Sequence, residues 1–262
     1  MLDDIALEYR KYRKYFAYYL YQYNQLLNSS VLIATSTNEF QSIRKLNIKS
    51  PIALIPNGIT LPSISSHSSF SVRNNVILCI CRIHPIKGLE NLIRAWAKSS
   101  LTNFKLIIAG PDENNYRTYL KNLVNSLNLN NSVNLMDEVN ESEKLALYQS
   151  SKFFILPSFT ENFGTAIAES LSHGLPVITT NRTPWKDLDF FNCGWSVDIG
   201  VNPLVAVLDG LSAISSESWK LMSDNSIKYV SQYNWSDVAS MTFSLYNWVL
   251  GYDSKPDFVY YN

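Results

Sequence analysis

Hydrophobic positions along the chain fall into short apolar runs separated by amphipathic stretches. Between residues 76 and 197, runs with the length of buried strands alternate with segments of helical spacing. The predicted strands are Val76–Cys81, Phe104–Ala109, Val133–Met136, Phe153–Leu156, Val177–Thr180 and Trp195–Val197. Helices are predicted at Leu89–Lys98, Tyr116–Leu127, Ser142–Ser150 and Thr165–Ser172, then near Pro203–Ile214, Ser218–Gln232 and Ser236–Val249. This alternation predicts an α/β fold, in which helices cover both faces of a parallel sheet.

A different pattern precedes Val76. Two short strands, Val31–Thr35 and Ile52–Ile55, flank a helix that Ser36 or Thr37 can cap. A Pro-Asn-Gly turn follows at residues 56–58, and residues 59–75 are Ser-rich with little apolar periodicity. We therefore predict an N-terminal segment over residues 1–58, a linker over 59–75 and one domain over 76–262.

Residues 5–27 form a tyrosine-rich helical pattern with cations at Arg10, Lys11, Arg13 and Lys14. One interpretation is an interfacial helix that lies on an anionic membrane. The other is a helix packed within the fold, with its basic end in solvent. A helix can also do both, so the two interpretations stay open.

Composition excludes several classes of function. Hydrophobic residues make up 46% of the 262 residues, the formal net charge is zero and the pI is near 6.8, so no overall field favours nucleic acid. The three cysteines lack the spacing of a zinc site or a disulfide framework. The acidic first residues do not resemble a secretory signal, and no apolar run reaches the ~18 residues of a membrane span. We predict a cytoplasmic protein without a nucleic-acid partner.

Two carboxylates follow the predicted strand Phe153–Leu156. Glu161 falls in a loop, and Glu169 lies in the second turn of a helix that starts near Gly164 or Thr165. Open α/β sheets bind ligands at the carboxyl ends of their strands, and the first-turn amides of a helix favour an anion. The alternative is that the two carboxylates only stabilise a helix dipole.

Two cations follow the first strand of the predicted domain. Arg82 and Lys87 flank a short loop, and an Arg fork with a Lys charge suits a pair of phosphates. Taken alone, such residues are most often solvated surface charges. His84 and His173 are candidates for acid–base chemistry, but we interpret both as structural.

The stretch Ser158–Glu169 resembles the E-x7-E motif of retaining glycosyltransferases with the GT-B fold, family 4 (glycosyl transferases group 1). Cys81–Gly88 resembles that family's G-R-x4-K-G element, with Cys81 where glycine is usual. The turn at 56–58 and the strand end Ile108–Pro111 match in the same order, and the resemblance covers about residues 31–250. The segments around Trp185 and Trp195 resemble a subgroup that builds bacterial surface polysaccharides.

The resemblance implies a fold and a set of roles. Residues 76–262 would be the C-terminal, nucleotide-sugar-binding half of a GT-B fold, and residues 1–58 a remnant of its N-terminal, acceptor-side domain. Arg82 and Lys87 would hold the donor pyrophosphate without a metal or other cofactor, and Glu169 would bind the ribose. Glu161 would be the catalytic carboxylate that contacts the donor sugar. Backbone amides would hold sugar and phosphate oxygens at Asn162, Phe163, Gly164 and Thr165.

The resemblance also implies a reaction: transfer of a sugar from a nucleotide-sugar to a glycan or lipid-linked acceptor. If the helix over 5–27 lies on a membrane, the cytoplasmic protein would be peripheral at its inner face. Only about 58 residues precede the linker, whereas a complete first domain needs on the order of 150–180. The alternative is therefore a truncated or split donor-binding module that needs a separate chain for its N-terminal half. We rank an epimerase below both.

Overall fold

A computed structural model describes residues 22–62 and 73–261, which form two compact units. The described part of the first unit comprises residues 22–59, 160–163 and 233–261, and that of the second comprises 60–62, 73–159 and 164–232. Most of the predicted helix over 5–27, with its four cations, lies outside the described residues.

The helices and strands follow the predicted order. In chain order they are α1 (Tyr23–Leu27), β1 (Leu32–Ala34), α2 (Thr37–Lys45), β2 (Ile52–Leu54), β3 (Val76–Ile80), α3 (Leu89–Lys98), β4 (Lys105–Ala109), α4 (Tyr116–Ser126), β5 (Val133–Met136), α5 (Glu141–Ser150), β6 (Phe153–Leu156), α6 (Thr165–Ser172), β7 (Val177–Thr180), β8 (Gly194–Val197), α7 (Val201–Gly210), α8 (Ser216–Val230), α9 (Trp235–Val249) and β9 (Val259–Tyr260).

The second unit contains a six-stranded sheet in the order β5-β4-β3-β6-β7-β8, and every pair in it is parallel. All residues of β6 and β7 are buried, which explains the continuous apolar character of β6. In β7 the buried hydroxyls of Thr179 and Thr180 donate to the carbonyls of Leu156 and Ser158. The predicted Rossmann-like parallel sheet with flanking helices is thus confirmed. The chain leaves β3 towards β4 on one side and returns at β6 on the other, so the strand order reverses between β3 and β6. That reversal is where doubly wound sheets bind ligands.

Local sequence explains where the helices begin and which faces they bury. The Asn140 side chain accepts from the Glu143 amide while the Glu143 carboxylate accepts from the Asn140 amide, a capping box that starts α5. Helix α3 buries Leu89, Leu92, Ile93 and Trp96, which share one face at the spacing of a helix.

The first unit contains a three-stranded sheet in which β2 lies between β1, parallel to it, and β9, antiparallel to it. Two apolar clusters cover the sheet because side chains alternate along β2. Ile52 packs in a cluster with residues of β1 and α2, whereas Ala53 packs in a cluster with residues of α9 and β9. Ser36 caps α2, since its side chain accepts from the Glu39 amide at 3.2 Å.

The C-terminal segment differs from the prediction, which assigned residues 76–262 to one domain and contained no ninth strand. In the structure, α9 and β9 lie in the first unit, where Val238, Leu245 and Val259 are buried with Ala53 and Ile55. A two-residue strand has no periodicity to detect, and its partner lies far away in sequence. The linker over 59–75 stays a prediction, since residues 63–72 lie outside the described part.

Within the described residues, none of the helices is long and apolar enough to cross a membrane.

Candidate functional site

The loop after β3 is ordered by backbone contacts with the loop after β4. The Cys81 amide donates to the Ala109 carbonyl at 3.0 Å, and the Ile83 amide donates to Pro111 at 2.8 Å. Within the loop, His84 is buried and its Nδ1 accepts from the Ile86 amide at 3.1 Å, which caps the 3₁₀ turn Pro85–Lys87. His84 therefore stabilises the conformation of the loop that carries Arg82 and Lys87.

The loop after β3 (the β3 loop) also contacts the loop after β6 (the β6 loop). Strands β3 and β6 are neighbours at the point where the strand order reverses. The Phe159 amide donates to the Ile86 carbonyl at 2.8 Å. Gly88 has a φ of +69°, and a Cβ there would lie 2.1 Å from the carbonyl oxygen of Pro157. The two loops can approach this closely only with glycine at position 88. The cationic loop and the start of the E-x7-E segment thus meet at the carboxyl edge of the sheet.

Arg82 lies at the surface of this edge. Its side chain is 60% exposed and forms an ion pair with Glu113, whose own amide donates to the Ile83 carbonyl at 3.2 Å. An ion pair with this exposure contributes about 0–1 kcal/mol, so an anionic ligand can replace the carboxylate. Lys87 ends the 3₁₀ turn and is half-buried.

Helix α6 begins beside the same edge. Gly164 is its N-cap with a φ of +81°, and a Cβ there would lie 3.1 Å from Nε1 of the buried Trp185. Both the left-handed backbone and this close contact favour glycine. Thr165 is exposed at the first helical position, as expected for an end of a helix that receives a ligand.

Glu169 lies in the second turn of α6, and its carboxylate contacts helix α5. Tyr148 Oη donates to Oε2 at 3.0 Å, and Lys144 Nζ donates to Oε1 at 3.3 Å. Burial and the Glu169 charge raise the pKa of Tyr148 well above its usual value, so its hydroxyl remains a donor. Burial opposes the charge of Lys144, but the Glu141 hydrogen bond and the attraction of Glu169 outweigh it and raise the pKa of Lys144.

The other predicted residues lie in the first unit. Asn162 Nδ2 donates to Glu39 Oε1 at 3.0 Å, and the second oxygen of Glu39 accepts from the Thr35 amide at 2.8 Å. Phe163 is buried with its ring edge-on to Tyr233, at 5.5 Å between centroids. Glu161, which directly precedes Asn162, is half-buried.

The structure thus brings the loops of Arg82 and Lys87 against the β6 loop in the second unit, and it places Glu161, Asn162 and Phe163 with the first. Sequence reasoning missed the partners Glu113, Lys144 and Tyr148. Only the spacing of Lys144 and Tyr148 gave a signal, because residues four apart share a helix face. It did not say that this face meets Glu169.

A sequence model of the family described as glycosyl transferases group 1 matches residues 63–188. These 126 of the 262 residues are thus similar to the glycosyl transferases group 1 family. The matched range spans the Arg82–Gly88 loop, the E-x7-E segment and Trp185.

The curated proteins to which the chain is similar include bacterial mannosyltransferases. The chain is 26% identical over 231 residues to the GDP-mannose:cellobiosyl-diphosphopolyprenol alpha-mannosyltransferase of Xanthomonas oryzae pv. oryzae. The aligned region covers 84% of the chain and 59% of that protein. It is also 28% identical over 109 residues to the O-antigen chain mannosyltransferase B of Escherichia coli. This aligned region covers 38% of the chain and 26% of that protein.

Among solved structures, the sucrose-phosphate synthase from Thermosynechococcus elongatus superposes with a TM-score of 0.74 at 22% identity. The match covers 87% of the chain and 60% of that structure, and it supports the GT-B type of fold. The chain spans less than two thirds of the length of each of these three proteins.

Proposed function

We propose that the chain acts in a retaining glycosyltransferase that moves a sugar from a nucleotide-sugar to a glycan or lipid-linked acceptor during surface-polysaccharide synthesis. The observation that carries this proposal is the contact between the Arg82–Gly88 loop and the β6 loop at the strand-order reversal. It gathers two cations and a helix N-terminus at one edge, where a diphosphate has complementary charge.

Departure of a nucleoside diphosphate develops negative charge that fixed cations can stabilise. We assign this role to Arg82 and Lys87, and we expect the reaction to need no metal. Glu169 would accept hydrogen bonds from the ribose hydroxyls of the donor. The resemblance assigns to Glu161 the contact with the donor sugar, where a carboxylate favours the positive charge that develops at the anomeric carbon. Attack and departure on the same sugar face would retain the anomeric configuration.

The names of the relatives indicate which substrates to test first. Both relatives are named as mannosyltransferases, and the name of one gives GDP-mannose as donor and a cellobiosyl-diphosphopolyprenol as acceptor. GDP-mannose is therefore the first donor to test, and a lipid-linked glycan the first acceptor.

A donor-binding module that does not transfer sugar by itself is the second candidate. The observation that favours it is that Arg82, Lys87 and α6, the groups proposed to hold the nucleotide, all lie in the second unit, whereas Glu161 lies in the first. A separate chain would then supply the acceptor side.

Calorimetric titration with UDP, GDP and ADP tests the donor site, and a radiolabelled-sugar transfer assay separates the two candidates. Binding with transfer supports the enzyme. Binding without transfer, restored by a second polypeptide, supports the module. If none of the three nucleotides binds at up to millimolar concentration, the donor site is wrong.

The Glu169→Ala variant tests the assignment on α6. Loss of hydrogen bonds to a charged acceptor should weaken nucleotide binding by about tenfold or more. His173→Ala, at the end of the same helix, should have a much smaller effect. Equal losses in the two variants would show that Glu169 acts only through the stability of α6.

Peripheral membrane contact through residues 5–27 stays a prediction. Co-sedimentation with anionic vesicles tests it, and binding that persists after Arg10, Lys11, Arg13 and Lys14 are replaced would contradict it.

A further inference from the structure

We propose that Tyr148 and Lys144 are positioning residues that aim the Glu169 carboxylate at a vicinal diol, such as the ribose of a nucleotide. The inference rests on the proposed function, because it takes a nucleotide as the ligand. It adds two residues of α5 to the site and gives each a separate task.

Each oxygen of the carboxylate has one donor from α5. Tyr148 Oη contacts Oε2 at 3.0 Å and Lys144 Nζ contacts Oε1 at 3.3 Å. An ionised carboxylate has about four acceptor positions, two on each oxygen. One position on each oxygen therefore remains for a ligand, which matches a diol that donates two parallel hydrogen bonds.

Burial differs across the three side chains in a way that fits positioning. Tyr148 is 1% exposed, whereas the side chains of Lys144 and Glu169 are 22% and 33% exposed. The Tyr148 ring stacks on His173 at 5.1 Å with planes 13° apart and also lies near Phe154. These ring contacts hold the Tyr148 ring in place, and its hydroxyl donates to the partly exposed Glu169 carboxylate.

Lys144 adds charge to this arrangement. Its ammonium also contacts Glu141 Oε1 at 3.0 Å, so it lies between two carboxylates of which Glu141 is 89% exposed. The attraction between this cation and Oε1 helps to hold the Glu169 side chain in one orientation.

The alternative is that Tyr148 supports the core and has no effect on ligand orientation. The Tyr148→Phe variant separates the two, since phenylalanine keeps the ring and removes only the hydroxyl. A core role predicts equal losses for every nucleotide. A positioning role predicts a loss only for nucleotides that have the diol.

The experiment measures dissociation constants by calorimetry for whichever of UDP, GDP and ADP binds best, and for its 2′,3′-dideoxy analogue. For Tyr148→Phe we expect about tenfold weaker binding of the diol ligand and less than a twofold change for the dideoxy ligand. Lys144→Met should show the same selectivity, and Lys144→Arg should recover most of the affinity. Tyr119→Phe and Lys121→Met, on the exposed face of α4, are the matched controls, with melting temperatures recorded for all.

The outcomes are distinct. Failure of the wild-type chain to bind any nucleotide overturns the proposed function and the inference with it. Wild-type preference for the diol that survives both Tyr148→Phe and Lys144→Met overturns the inference alone. Equal weakening of the diol and dideoxy ligands also overturns it, because it shows a structural role. If Tyr148→Phe does not fold, the contrast between Lys144→Met and Lys144→Arg decides.

Discussion

Two arginines flank strand β3, and they lie in opposite environments. Arg73 precedes the strand and is 4% exposed, whereas the Arg82 side chain after it is 60% exposed. Arg73 donates to the carbonyls of Tyr148 and Ser151 at 2.7 Å and of His173 at 2.8 Å, and it lies over the Trp219 ring. The described hydrogen bond of the Arg82 side chain goes to the carboxylate of Glu113.

The direction of the helices explains this difference. In a parallel sheet, each helix between two strands runs back along it, so helix C-termini gather at the amino edge and N-termini at the carboxyl edge. Arg73 meets the terminal carbonyls of α5 and α6, whose partial negative charge favours a cation. Arg82 lies beside helix N-termini, where an anion is favoured. The same residue type thus satisfies buried carbonyls at one edge, and at the other it is exposed where we propose that an anion binds.

Arg73→Met should give the largest effect. It leaves three carbonyls without their donor and removes the ring contact, so the free energy of unfolding should fall by about 3 kcal/mol or more. Urea unfolding monitored by circular dichroism measures it. Arg94→Met, an exposed cation paired with Glu90, is the control and should change stability by less than about 0.5 kcal/mol. If Arg73→Met lowers the free energy of unfolding only slightly, the contrast between the amino and carboxyl edges of the sheet is wrong.

Arg82→Met should give the reverse result. We expect stability within about 0.5 kcal/mol of the wild type and roughly tenfold weaker binding of a nucleoside diphosphate. Calorimetric titration measures the binding, with Lys121→Met as the control for lost surface charge. Unchanged affinity would contradict the assignment of Arg82 to the phosphates.

Cys193, which precedes β8 at the amino edge, should make stability depend on alkaline pH. Burial and the nearby Asp189 raise the pKa of its thiol from 9.0 to about 12. Between these values the unfolded chain loses a proton that the folded chain keeps, so stability should fall as pH rises above about 9. Melting temperatures between pH 8 and pH 10.5 test this. In Cys193→Ala the melting temperature should fall less steeply with pH. If it falls as steeply as in the wild type, the pH dependence comes from other groups.

Glu113→Gln should give the smallest effect. Removing this carboxylate releases Arg82 and takes a negative charge away from the proposed phosphate position, so the affinity for a nucleoside diphosphate should rise by about two- to fivefold. Added salt should reduce the gain because the groups are exposed. Weaker binding in this variant would indicate that Glu113 holds Arg82 in its productive orientation.

Much of the fold was predictable because it depends on local patterns. The bounds of α3, α6, β5, β6 and β7 match the prediction residue for residue, since each is a continuous run with clear ends. Strand β9 was missed, and α9 was assigned to the wrong neighbours, because both depend on packing against β2. A helix pattern shows that one face is buried without showing what covers it.

The site was predictable in part. The motifs pointed to the loop of Arg82 and Lys87 and to the helix of Glu169, and the structure brings that loop against the β6 loop. The partners Glu113 and Tyr148 were not predictable, because nothing in their spacing shows which side chain lies opposite. The assignments of substrate contacts, Glu161 included, stay predictions that the experiments above test.

The sequence by itself determined the order of strands and helices and the positions of glycine in the loops, because periodicity and backbone freedom are local properties. Only the tertiary structure decided that Gly88 brings the β3 loop onto Pro157, that Tyr148 and Lys144 contact Glu169, and that Arg73 meets the ends of two helices. These contacts join residues far apart in the chain, so they exist only after the sheet has assembled in its reversed strand order.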